Sequence, residues 1–84
     1  MADVEGKVTE LCVEDPNLNL FWFKYRDEET GQEVDTRFNI ERSVVGSDTY
    51  DKMFALLLTA LKNKNKIRFN PEGTIRWIII YLND

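Results

Sequence analysis

Residues 48–82 constrain the fold most, because they predict one amphipathic helix followed directly by two strands. Large apolar side chains recur at helical spacing in the first part of this segment, at Tyr50, Met53, Phe54, Leu57, Leu58 and Leu61. The strands are predicted at 66–69 and 74–82, and Ile78, Ile79 and Ile80 make both faces of the second strand apolar. The helix therefore needs a sheet to cover, and part of that sheet follows it in the chain.

The helix is predicted to begin at Ser47 or Asp48, since either side chain can cap the free amides of a first turn. Leu56 and Ala60 lie outside the main apolar stripe and widen it. Two interpretations of the wider face stay open. It is either a broad core-facing side or a surface through which copies of the chain associate.

Three strands are predicted upstream, at 6–13, 20–25 and 34–40, and turn residues at 15–17 and 29–31 separate them. The apolar phase of the first strand slips after Val8, as it would at a bulge. The resulting order is three strands, a helix and two strands. That order is typical of a five-stranded OB barrel, a mainly β domain with one helix (α+β). The 84 residues suffice for one hydrophobic core, so we expect a single OB-fold domain over 1–84.

Composition narrows the possible partners. A net charge of −4 argues against binding to nucleic acid or to an anionic membrane, because both depend on Lys and Arg. With no apolar run of about 18 residues, we expect no membrane insertion. Cys12 is the only cysteine and cannot form an intradomain disulfide. We expect a cytoplasmic protein if Met1 is the native start, and an exported one if Met1 replaces a leader.

A family resemblance rests on the C-terminal half of the chain. The pattern is Tyr50-x-x-Met53-Phe54-x-Leu56-Leu57-Leu58-Thr59-Ala60, a Lys/Asn bridge, Ile67-x-Phe69, a turn with Gly73, and Ile75-x-x-Ile78-x-x-Tyr81-Leu82. It resembles the small OB-fold B-subunits of bacterial toxins, the subtilase-cytotoxin and pertussis-toxin-like group. The resemblance implies a ring of five copies, with helices lining the pore, neighbouring strand edges paired and an outer surface that binds glycans. The chain lacks the second cysteine of the disulfide that those exported subunits usually contain.

Catalysis has little support in the sequence. The chain has no histidine, Cys12 lies among apolar neighbours on a strand, and no serine stands in a nucleophile-elbow context. The acidic groups at Glu14 and Asp15 and at 27–29 lie in predicted turns, and we interpret them as solvated loop charge. The sequence therefore predicts a protein that is not an enzyme and has no cofactor and no metal site.

Binding is the better-supported class. Lys24 indicates that Trp22 faces outward, and Arg37 on the next strand would place a charge beside that aromatic ring. Lys24 and Tyr25 are predicted secondary contacts of a ligand at Trp22. The alternative is that Trp22 packs under a loop or against another subunit, as large aromatics usually do. Trp77 alternates with Ile75 and Ile79 and is predicted to lie in the core.

Two hypotheses of different class follow. The first is a homo-oligomeric, pentameric OB-fold protein that binds a glycan or a protein partner, with Leu56, Ala60, Ile78 and Ile80 at the contacts between copies. The second is a monomeric binder of single-stranded nucleic acid, in which bases stack on Trp22 while Arg37, Lys24 and Arg68 contact phosphates. The acidity of the chain counts against the second.

Overall fold

The computed structural model describes residues 2–14, 17 and 19–83. Its strands are β1 (Val4–Val13), β2 (Leu20–Asp27), β3 (Glu33–Glu41), β4 (Lys66–Phe69) and β5 (Ile79–Tyr81), and its helices are α1 (Arg42–Val45) and α2 (Ser47–Asn63). Apart from the short α1, this is the predicted order of elements. Asp15 and Pro16 of the predicted turn at 15–17 lie outside the described residues.

The five strands form one antiparallel sheet in the order β3-β2-β1-β4-β5. The prediction of a mainly β domain with one main helix is thus confirmed. A closed barrel would also require the two edge strands, β3 and β5, to pair with each other, and they are the unpaired ends of this sheet. The sheet that the described residues form is open, so closure into an OB barrel is not established.

The bulge predicted in β1 is present. The pairing of β1 with β2 shifts between Val8 and Glu10, which oppose Tyr25 and Lys24, and Thr9 is the extra residue. This shift lets Val8 and then Leu11 pack on the core side although they are three residues apart. The bulge therefore keeps one long strand packed against the core on both sides of the irregularity.

The core lies between one face of the sheet and α2. It is rich in aromatic rings that meet edge to face, such as Phe23 with Phe69 at 5.2 Å between centroids, and Phe21 with Tyr50 at 5.0 Å. Gly6 is required at its position in β1. A Cβ there would collide with the carbonyl oxygen of Arg26 and come within 2.8 Å of the Tyr25 ring. We call the opposite side of the sheet the outer face.

Helix α2 begins at Ser47, but its capping differs from the prediction. The N-cap residue is Gly46 at φ 92°, with no side-chain cap. Asp48 instead lies in the first turn, where its negative charge interacts favourably with the positive end of the helix dipole. It also pairs with Lys52 at 3.0 Å. The helix ends at Asn63, and the C-cap residue Lys64 adopts the left-handed conformation with φ 57° and donates its amide hydrogen to the carbonyl of Ala60.

The side of α2 that faces the sheet is wider than its main apolar stripe suggested. Ala60 is fully buried in the core, and Leu56 is half-buried and packs against it. Ala60 has no exposed surface to offer to another copy, whereas a contact between copies at the half-buried Leu56 stays a prediction. The broad core-facing side accounts for Ala60 and for the buried part of Leu56.

Strand β5 is much shorter than the predicted strand at 74–82. Its ladder joins Arg68 to Ile79, Ile67 to Ile80 and Lys66 to Tyr81, and so uses nearly all of the four-residue β4. Residues 74–78 lie beyond the end of that ladder and have no strand partner there. Ile75 in this segment is nevertheless buried in the core, so the segment contributes packing instead of sheet pairing.

Candidate functional site

Trp22 lies at the centre of the outer face, between Cys12 of β1 and Asn39 of β3. Its neighbours along β2, Phe21 and Phe23, belong to the core on the other side of the sheet. Although it faces outward, Trp22 is only 6% exposed. The prediction of its direction agrees with the structure, whereas its predicted accessibility does not.

Two charged side chains account for the covering of Trp22. The Arg37 guanidinium carbon lies 4.5 Å from the centroid of the ring, which is the geometry of a cation–π contact. The indole Nε1–H donates a hydrogen bond of 2.7 Å to Oε2 of Glu14. We call Trp22, Arg37 and Glu14 the Trp22 clamp. A base or a sugar that stacked on this ring would first have to displace Arg37.

Lys24 and Tyr25, the predicted secondary contacts, lie on opposite faces of β2. Lys24 shares the outer face with Trp22 and pairs with Asp35 of β3 at 3.9 Å. Strand alternation places Tyr25 on the side of Phe23, where it is buried in the core and does not share a face with Trp22. Burial raises the pKa of the Tyr25 hydroxyl above its ordinary value of 10.0, and the nearby Asp27 carboxylate adds to the effect.

A network of charged residues occupies the outer face of β1, β4 and β5. Its centre is Glu5, which accepts a hydrogen bond of 2.9 Å from the Tyr81 hydroxyl and lies 3.7 Å from Lys66 and 3.8 Å from Arg68. We call these four residues the Glu5 cluster. The Tyr81 hydrogen bond, and then the charges of Lys66 and Arg68, lower the pKa of Glu5 below its ordinary value of 4.5.

An open cavity of about 320 Å³ adjoins the Glu5 cluster, and its wall contains five carboxylates and one guanidinium, from Asp3, Glu5, Asp27, Glu28, Glu29 and Arg68. Most of these charges already have partners within the chain. Arg68 lies 3.3 Å from Asp3, and Lys66 lies 3.5 Å from Glu28. Over the described part of the chain, no group of three potential ligands has the arrangement of a metal site.

The third feature is the edge of the sheet at β5. Trp77, Ile79 and Leu82 are 41%, 46% and 69% exposed, and we call them the C-terminal apolar surface. The predicted core position of Trp77 is wrong: Ile79, which shares its alternation, faces outward, and residues 74–78 lie outside β5. Ile79 faces outward opposite Arg68, which is itself exposed.

Ile78 and Ile80 were predicted to contact another copy, and the structure places them differently. Both are half-buried and pack against the core, and Ile80 pairs with the fully buried Ile67. Ile79, between them, is the isoleucine that reaches the surface. The phase of the strand could not be read from the three identical residues at 78–80.

Sequence reasoning missed Glu14 and the pair formed by Glu5 and Tyr81. A signal for Glu14 existed, since a buried indole needs an acceptor for its N–H and Glu14 directly follows the strand beside Trp22. The contact between Glu5 and Tyr81 joins residues 76 positions apart. The contact forms because β4 lies between β1 and β5 in the sheet, and the sequence alone does not show that order.

No known protein family matches the chain, and comparisons with curated proteins and with solved structures gave no significant match. The resemblance to toxin B-subunits therefore stays a prediction based on the pattern of residues 50–82. In the described residues, no helix has both the length and the apolar character needed to cross a membrane.

Proposed function

We propose that the protein is a non-catalytic binding module that assembles with further copies of itself through the C-terminal apolar surface. The observation that carries this proposal is the exposure of Trp77, Ile79 and Leu82 at an edge strand. An edge strand presents free backbone groups, and natural proteins usually protect such edges with charges, proline or a covering loop. From Trp77 to Leu82 the chain contains neither a charged residue nor a proline.

The resemblance to toxin B-subunits implies one form that such an assembly could take, a ring of five copies that binds a glycan or a protein partner on its outer surface. Self-assembly is the part that the exposed residues support. A glycan that used Trp22 would have to compete with Arg37 for the ring and leave Glu14 bonded to the indole. We therefore place assembly before ligand binding as the conclusion.

Binding of single-stranded nucleic acid has weaker support. Trp22 is covered, and two of the three predicted phosphate contacts pair with carboxylates: Lys24 with Asp35, and Arg68 with Asp3. Phosphates would have to replace these partners on a chain of net charge −4. Tryptophan fluorescence titrated with short oligonucleotides at low salt tests this alternative, and quenching at micromolar protein would revive it.

The test of self-assembly is the solution mass, measured by size-exclusion chromatography with light scattering. One chain has a mass of 9.9 kDa, so any assembly is easily recognised. Ile79→Lys should lower the mass to that of one chain, because it adds a charge to the surface that would be buried. Val44→Lys is the matched control, since Val44 on α1 is 44% exposed and Ile79 is 46% exposed.

The wild type and Val44→Lys should share the same mass above 9.9 kDa. A wild-type mass of one chain up to the highest soluble concentration would overturn the proposal. Circular dichroism should show that Ile79→Lys keeps its secondary structure, because about half of the side chain is already in solvent.

A further inference from the structure

We infer that two copies pair β5 with β5 across a two-fold axis, in antiparallel orientation, so that the two sheets become one. The inference rests on the proposed self-assembly and adds its geometry. It comes from a difference between the two edges of the sheet, of which one is protected against pairing and the other is not.

The β3 edge is the protected one. Its exposed side chains include three carboxylates and one guanidinium, from Glu33, Asp35, Glu41 and Arg37. Its pairing with β2 is also irregular, with a register shift between Phe23 and Tyr25. Charged side chains and bulges are the devices by which natural sheets prevent pairing at an edge. The β5 edge has neither in its apolar run from Trp77 to Leu82.

Charge then decides among the three possible pairings of edges. Pairing β3 with β3 would bring together two strands that each carry an excess of carboxylates, which is unfavourable between copies. Pairing β3 with β5 would desolvate carboxylates against Trp77 and Ile79. Pairing β5 with β5 opposes only uncharged side chains. A closed ring of five needs a contact between two different surfaces. Among the pairings of edges, only that of β3 with β5 provides one, and the charges disfavour it.

The two-fold pairing has a natural register centred on Ile79. If pairing extends β5 back to residue 77, this register places Trp77 of one copy opposite Tyr81 of the other on the same face. The basic residues of β4 do not oppose the approach. The two β4 strands would be three strand spacings apart, roughly 14 Å, beyond the screening length of about 8 Å at physiological ionic strength. Within each copy, Lys66 and Arg68 already have carboxylate partners.

Lysine substitutions at the two edges test the two-fold pairing of β5 with β5. Ile79→Lys should weaken the dimer about 100-fold, on the assumption of about tenfold for each of the two symmetric copies of the substitution. Asp35→Lys changes the β3 edge, where the carboxylate is fully exposed apart from its ion pair with Lys24. It should leave a mass of two chains. Loss of assembly in Asp35→Lys would overturn the two-fold geometry in favour of pairing between β3 and β5.

Disulfide trapping gives a second measurement that does not depend on the folding of Ile79→Lys. In a Cys12→Ser background, Ile79→Cys should form a covalent dimer on mild oxidation, because opposed residues of antiparallel strands lie within disulfide range. Val44→Cys in the same background is the control and should stay a single chain. The absence of a covalent dimer with Ile79→Cys would overturn the pairing centred on Ile79.

The wild-type mass separates this inference from the proposed function. A mass of two chains supports both. A mass of five chains would overturn the two-fold geometry and leave self-assembly standing. A mass of one chain at every concentration would overturn both together.

Discussion

Trp22 and Trp77 have opposite surroundings in this small domain. Trp22 lies on β2 with a strand on each side, and the residues of those strands reduce its exposure to 6%. Trp77 precedes the edge strand β5, has a neighbouring strand on one side at most, and is 41% exposed. The comparison teaches that the direction of an outward-facing aromatic does not determine its exposure. Neighbouring long polar side chains determine it, and only an interior strand has them on both sides.

The largest predicted effect is a difference in stability between the two tryptophans. Trp22→Ala should lower the free energy of unfolding by about 3 kcal/mol, because it removes a buried ring together with its contacts to Arg37 and Glu14. Trp77→Ala should cost less than about 0.5 kcal/mol, as is usual for an exposed side chain. Urea unfolding at low protein concentration, where assembly contributes least, measures both. Equal losses would contradict the assignment of Trp22 as the structural residue.

The second prediction concerns the cation–π contact by which Arg37 shields the Trp22 ring from solvent. Arg37→Ala should destabilise the domain by about 1 kcal/mol, since an exposed cation–π contact contributes about that much. In a Trp77→Phe background, it should also increase the quenching of Trp22 fluorescence by acrylamide. Arg76→Ala is the matched control, because Arg76 is an exposed arginine beside the other tryptophan. A variant in which quenching is unchanged would show that Arg37 does not cover the ring.

The hydrogen bond between Trp22 and Glu14 should give a smaller effect, best isolated by a double-mutant cycle. Trp22→Phe removes the N–H donor and keeps an aromatic ring, and Glu14→Ala removes the acceptor. We expect a coupling free energy of about 0.5 to 1 kcal/mol for a partly buried bond of 2.7 Å. Additive losses within about 0.3 kcal/mol would mean that the bond contributes no stability of its own.

Much of the fold could be predicted from the sequence, because the relevant signals are local. The helix at 47–63 follows from the spacing of its apolar residues, and the bulge near Thr9 follows from the phase slip after Val8. The hairpin of β2 and β3 follows from alternation and from Gly31, which adopts φ 72° in the turn. The apolar spacing of the helix and the alternation of the strands recur over enough residues to determine which side faces the core.

The length of β5 and the state of both tryptophans could not be predicted, because they depend on neighbours distant in the chain. The four-residue β4 limits the ladder of β5, and that limit moves Trp77 from a strand position to the surface. Glu14 covers Trp22 from the position after the end of β1, and Arg37 covers it from β3 on the other side of β2. Closure of the barrel likewise depends on whether β3 meets β5, and no local pattern encodes that meeting.

The Glu5 cluster connects the edge strand β5 to β1 and β4. Removing the charge of Glu5 should have the smallest effect on stability among these predictions. Glu5→Gln keeps an acceptor for the Tyr81 hydroxyl but loses the charge facing Lys66 and Arg68. Because the pKa of Glu5 is lowered on folding, its ionised form stabilises the folded state fully above its ordinary value of 4.5. That stabilisation is lost as the pH falls through the lowered pKa.

The melting temperature of Glu5→Gln should therefore lie slightly below that of the wild type at pH 7, and the difference should shrink as the pH falls below 4.5 and through the lowered pKa of Glu5. The difference should be small, since the carboxylate is partly exposed and solvent screens its ion pairs. Glu10→Gln, which removes an exposed charge from the same strand, corrects for the change in net charge. A difference that stayed unchanged down to the lowest pH at which the domain remains folded would mean that the amide disturbs packing at β5. The charged cluster would then have no part in holding the edge strand on which the proposed assembly depends.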